Sequence, residues 1–147
     1  MEDFTQDGRS NVMIKKMSAD ALVAIDLTDD ERLFMFHGLN EWLGPARGAP
    51  LLLPVFGMPT ADEFYDMAQR LGAAIRNTEP LSDLDWARAL LLTEISWGSD
   101  LLGAGIDSAT NFRDEMAVGL LRSIQYKISS SERRQLLQDN AGRAAAD

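Results

Sequence analysis

Any chemistry in this chain would start from His37, its only histidine. Glu41 lies four residues on, so a helix places both side chains on one face. A His-x-x-x-Glu pair offers two ligands to a metal, or an acid–base couple. A metal site needs three or four ligands with outer support. Asp26 or Asp30 would complete the set only through the fold. The plainer reading is a half-buried histidine hydrogen-bonded to Glu41 or to backbone.

The nucleophiles are no better placed. Ser96 and Ser99 flank Trp97-Gly98, but the Gly-x-Ser-x-Gly elbow is absent. Gly103-Ala104-Gly105 is followed by Ser108 where a dinucleotide fingerprint needs its third glycine, and no strand precedes it. It reads as a joint. No phosphate-loop motif is present, and Asp83 and Asp85 lack the spaced carboxylates of a calcium loop. There is no cysteine, hence no disulfide, thiolate or Cys-ligated zinc. The expectation is a non-enzymatic protein with no catalytic residue, no metal site and no cofactor.

The elements that would position these residues are helices. Thr28-Asp29-Asp30-Glu31, Thr60-Ala61-Asp62-Glu63 and Ser129-Ser130-Ser131-Glu132 fit the capping box. Ser82-Asp83-Leu84-Asp85 is a shortened version, and Asn111 is a plain cap. Periodicity places helices at about 29–43, 61–77, 83–97, 112–128 and a short one at about 131–140, stopped by Gly142. The third leaves little polar face and reads as central. The fourth carries a seam of Phe112, Met116, Leu120, Ile124 and Ile128.

Two segments resist that pattern. Residues 45–59 hold four prolines around Leu51-Leu52-Leu53 and Val55-Phe56, which predicts an extended apolar strap rather than a helix. Residues 21–27 read as an extended lead-in, with no second strand to pair with. The predicted fold is therefore all-α. It is a single-domain bundle of four main helices plus a short C-terminal helix over 18–142. A flexible tail at 1–17 and a frayed one at 143–147 flank it.

Charge narrows the partners. The 147 residues carry a formal net charge of −9. Residues 18–44 hold six acids against one arginine, and residues 81–107 hold five against one. Such a chain disfavours general binding to phosphate backbones and favours basic protein surfaces. The expected acidic face is Asp29, Asp30, Glu41, Asp83 and Asp85. Phe34, Trp42 and Phe56 are expected as apolar anchors, since helix one has more aromatic residues than one stripe can hold. This is the pattern of an inhibitor, immunity or antitoxin-like protein, or an adaptor. An alternative is a DNA-associated regulator with a helix-turn-helix-like C-terminal pair, contacting phosphates through Arg113, Arg122, Lys127, Arg133 and Arg134. Plainer than that is a helical hairpin closing the bundle. A further alternative is a structural protein of an oligomer or phage particle, or a homodimer. No apolar run reaches a membrane span, and the N-terminus lacks a signal pattern, so the expected location is cytoplasmic. Arginine outnumbers lysine eleven to three, a usage that fits a GC-rich bacterial or phage genome.

Overall fold

A computed structural model describes residues 20–44, 49–99, 101–102 and 114–146. Among them are six α-helices and one pair of two-residue strands, so the fold is an all-α bundle. The 1–17 tail, Asn111, Phe112, Arg113 and the Gly103-Ala104-Gly105 joint lie outside the described residues. No described helix is long and apolar enough to cross a membrane.

Helix α1 spans Asp29–Asn40 and ends in a single 3-10 turn, Glu41–Leu43. Thr28 and Glu31 form the expected capping box: Glu31 N–H donates to Thr28 Oγ1 (3.1 Å), and Thr28 N–H donates to Glu31 Oε1 (2.8 Å). Helix α2 spans Ala49–Phe56, α3 Ala61–Arg76, α4 Asp83–Gly98, α5 Asp114–Ile128 and α6 Ser131–Ala146. Thr60 and Ser82 cap α3 and α4 as their positions predict.

The strap corrects the sequence expectation, because its centre is helix α2. Pro50 stands in the first turn, where a helix has no use for the missing N–H. Pro54 sits inside, but the helix is only eight residues long. It closes on Gly57 at φ +68, with Gly57 N–H donating to Pro54 O and Met58 N–H to Leu53 O. Those two bonds are the Schellman pattern, which favours glycine at the left-handed position. The prolines thus bound a short helix instead of preventing one.

Three other expectations change. Leu22–Val23 (β1) has a partner after all: it pairs antiparallel with Leu81–Ser82 (β2), Leu22 opposite Ser82 and Val23 opposite Leu81. The second strand is wedged between Pro80 and a helix cap, too short to show periodicity. Helix α6 runs through Gly142 to Ala146, and its cap is Ser130, not Ser129, with Arg133 N–H donating to Ser130 Oγ. In α5 the buried seam is Ala117, Ile124 and Ile128, flanked by Leu120 and Leu121, while Met116 is exposed.

The core gathers Phe34, Met35 and Leu39 of α1 with Trp42, Phe56, Phe64, Leu71, Ile75, Trp86, Leu92, Ile124 and Ile128. Helix α4 is central as predicted, packing on α1, α3, α5 and α6. Helix α1 packs on α3, α4 and α5, which explains why its apolar residues exceed one stripe. Helix α5 lies against α1 and α4, whereas α6 lies against α2 and α4; the last two helices therefore do not form a closed hairpin. The three indoles staple the bundle: Trp42 Nε1–H donates to Leu92 O, Trp86 to Val23 O and Trp97 to Phe34 O. A buried indole must find such an acceptor. At Gly38 an added Cβ would lie 3.0 Å from Trp97 Nε1, so a larger residue there would press on the indole where α1 meets α4.

Candidate functional site

The fold absorbs most of the residues that could do chemistry. His37 and Glu41 are half-buried. Burial, with the charge of Arg76 second, pushes the His37 imidazole below its ordinary value; burial pushes the Glu41 carboxyl above its own. The His37 ring stands edge-on to Phe36, 5.7 Å between centroids. Ser96 is buried in α4, and Ser99 Oγ accepts from Leu102 N–H. Among the described residues no three His, Cys, Asp or Glu side chains are grouped so as to hold a metal ion.

The expected apolar anchors are corrected. Phe34, Trp42 and Phe56 are fully buried and belong to the core. Phe56 and Trp42 both stand edge-on to Phe64, and Phe34 stacks on Trp97 at 4.2 Å. An aromatic locked this way presents no surface to a partner.

Three of the five residues of the expected acidic face are also corrected. Asp85 is held by Arg70 (2.8 Å) and Arg88 (2.9 Å). Burial works to raise the Asp85 carboxyl, but hydrogen bonds from both arginines outweigh it, and the carboxyl stays below its usual range. Asp83 takes the Arg133 guanidinium at 3.0 Å. Glu41 lies at the far end of α1 from Asp29 and Asp30, roughly 18 Å along a twelve-residue helix.

What remains is an acidic end of the bundle. Arg32 marks it: its guanidinium donates to Ile25 O and Ile75 O, each at 3.2 Å, tying the start of α1 to the lead-in and to the end of α3. Asp26, Asp29 and Asp30 are exposed there. Glu79 is exposed two residues before β2 and Asp26 three residues after β1, so the antiparallel pairing leaves both beyond the same end of the ribbon. Asp20, two residues before β1, is exposed beyond the other end of that pairing. Arg32 is committed to carbonyls, Arg76 lies over the Phe36 ring at 4.7 Å, and Lys127 is paired with Glu31. Two apolar side chains project at this end: Leu22 is 69% exposed and Leu33 is 43% exposed. Leu33 shares the α1 face of Asp29 and Asp30 by helical spacing. Sequence reasoning named Asp29 and Asp30 for this surface but not Asp26, Glu79, Leu22 or Leu33. The signal for them is the β1–β2 pairing, invisible in the chain.

The cationic set at the C-terminus is dispersed. Lys127 Nζ forms a 2.6 Å ion pair with Glu31, and Arg133 is bound to Asp83 and to Ile128 O. Arg122 donates to Gln125, Arg134 is exposed, and Arg113 lies outside the described residues. Lys127 and Arg133 are therefore corrected: both act as ties between helices rather than as phosphate contacts. Glu31 is 2% exposed, and its own burial would raise its carboxyl. Hydrogen bonding led by Lys127 reverses that and lowers it to about 2.

A second surface was not read from sequence at all. A groove of about 390 Å³ runs between α4 and α6 beneath the α5–α6 turn. Its walls are Val55, Ala87, Leu90, Leu91, Leu137 and Ala141, with Ser129, Ser130, Arg133, Arg134, Gln138 and Glu94 as polar members. Four helices contribute, α5 through Ile128, and their residues lie up to 86 positions apart (Val55 to Ala141).

Comparison with protein-family models, with curated proteins and with solved structures returns no match.

Proposed function

We propose that this chain is a non-enzymatic protein-binding module that engages a basic partner through the acidic end of its bundle. The observation that carries the reading is the exposure of Asp26, Asp29, Asp30 and Glu79 on the three segments that Arg32 ties together through backbone carbonyls, with Leu22 and Leu33 exposed on the adjoining β1 and α1. Unpaired carboxylates at one end raise the local concentration of a cationic partner and speed encounter. The two leucines supply apolar area that holds the complex once formed. An inhibitor, an immunity-type protein or an adaptor would work in this way, and a cytoplasmic setting is part of the proposal.

Affinity capture from the native host with tagged protein, at low and moderate salt, tests it. The expected result is a stoichiometric basic protein that weakens with salt. It should be lost when Asp29, Asp30 and Glu79 are all changed to Lys. Equal capture by the charge-reversed protein would remove the acidic end from the account. Capture of nucleic acid instead would return attention to Arg122 and Arg134.

A further inference from the structure

We propose that the groove between α4 and α6 is a binding site for a free single-chain alkyl carboxylate. The site is separate from the acidic end and does not depend on it.

The volume comes first. At about 390 Å³ the groove falls within the range of roughly 300–1,000 Å³ typical of small-ligand pockets. The lining then gives the ligand a direction. Along α6 it passes from Ser130, Arg133 and Arg134 in the first turn to Leu137 and Ala141 one and two turns later. Val55 lies at the apolar end, because Asn140 Nδ2 donates to Val55 O at 3.1 Å. Leu90, Leu91 and Ala87 of α4 face this stretch. The groove therefore has an apolar length and a donor-rich end, the shape of an amphiphile.

A local cation sets the preference for the head. Arg133 is already paired with Asp83. Arg134 is exposed, and among the described residues its guanidinium meets no carboxylate. It is the cation left over at the donor-rich end, beside the hydroxyls of Ser129 and Ser130 and the start of a sixteen-residue helix. A planar guanidinium matches a carboxylate in a bidentate way. Glu94 also lines the groove and keeps its charge, since its 2.6 Å hydrogen bond comes from the neutral Gln125 Nε2 of α5; the preference for an anionic head rests on Arg134 and the adjacent hydroxyls, not on the net charge of the groove. Glu132 stands in the same turn but is exposed and outside the lining.

The test is calorimetric titration of the full chain with dodecanoate below its micelle concentration. Dodecanol and dodecyltrimethylammonium serve as head-group controls, and amide chemical-shift mapping locates the site. The expected result is saturable binding of one dodecanoate per chain, with shifts confined to α4, α6 and the turn between α5 and α6. Arg134→Glu should weaken dodecanoate at least about tenfold, one decade of binding constant, and leave dodecanol little changed. Leu137→Gln should weaken both. Thermal unfolding of each variant confirms that it folds. The proposal is overturned if dodecanoate does not saturate, if Arg134→Glu binds it as wild type does, or if the trimethylammonium compound binds as well. Shifts at Leu22 and Leu33 instead would also overturn it, because the amphiphile would then be covering the acidic end.

Discussion

The acidic end and the α4–α6 groove use the same residue types in opposite ways. At the acidic end an arginine, Arg32, is committed to two carbonyls, and four carboxylates, Asp26, Asp29, Asp30 and Glu79, face water. Beside the groove the carboxylate of Asp83 is paired with Arg133, and Arg134 meets no carboxylate among the described residues. The sign of each surface is the remainder after internal pairing, not the sum of the local sequence. Residues 81–107 are as acidic by count as many binding faces. Yet Asp83 and Asp85 contribute little free charge, because Arg70, Arg88 and Arg133 fold onto them.

The comparison can be broken most forcefully in the core. Phe56→Ala should lower stability by about 3–5 kcal/mol, the usual cost of emptying a buried aromatic site. Chemical denaturation would measure it. If Phe56 were instead an exposed anchor, stability would hold and only binding would fall.

The next largest effect lies in the tie between α1 and α5. Lys127→Met leaves Glu31 buried without its cation and should cost about 3 kcal/mol. The same pair sets an acid limb. The Glu31 carboxyl is lowered to about 2 in the folded state, from an ordinary value of 4.5. Its contribution is therefore complete above pH 4.5 and is lost as the pH falls through about 2. Asp85, also lowered, adds in the same direction. A series of unfolding curves from pH 5 to about 2 should show wild type weakening more steeply than Lys127→Met. Parallel curves would show that the pair carries no such coupling.

How much of this was legible in sequence follows from distance along the chain. The caps at Thr28, Thr60 and Ser82 were readable because each is a three-residue relation. The cap of α6 was misplaced by one because three serines in a row offer three choices, and only the helix start decides. Helix α2 was hidden because proline statistics argue against it, while its short length and its Gly57 closure allow it. Ion pairs spanning 15, 50 and 96 residues had no local signature at all. The groove was invisible for the same reason, and so was Glu79 at the acidic end.

Smaller effects sharpen these points. Ser130→Ala should cost about 1 kcal/mol as a lost cap, and Ser129→Ala within about 0.5 kcal/mol. Equal losses would mean that the cap is shared between the two serines. Asp85→Asn should weaken stability while leaving partner association unchanged. Asp29→Asn should do the reverse, with a stability change under about 1 kcal/mol from the helix dipole. Thermal unfolding and association rates measured on the same two proteins separate the roles.

The most direct measurement is the association rate of the captured basic partner across a range of salt, for wild type and for Asp29→Lys with Asp30→Lys. The account predicts slower association for the variant, roughly tenfold at low salt, with a flattened salt dependence and little change in dissociation. Association within about twofold of wild type at every salt concentration would contradict it.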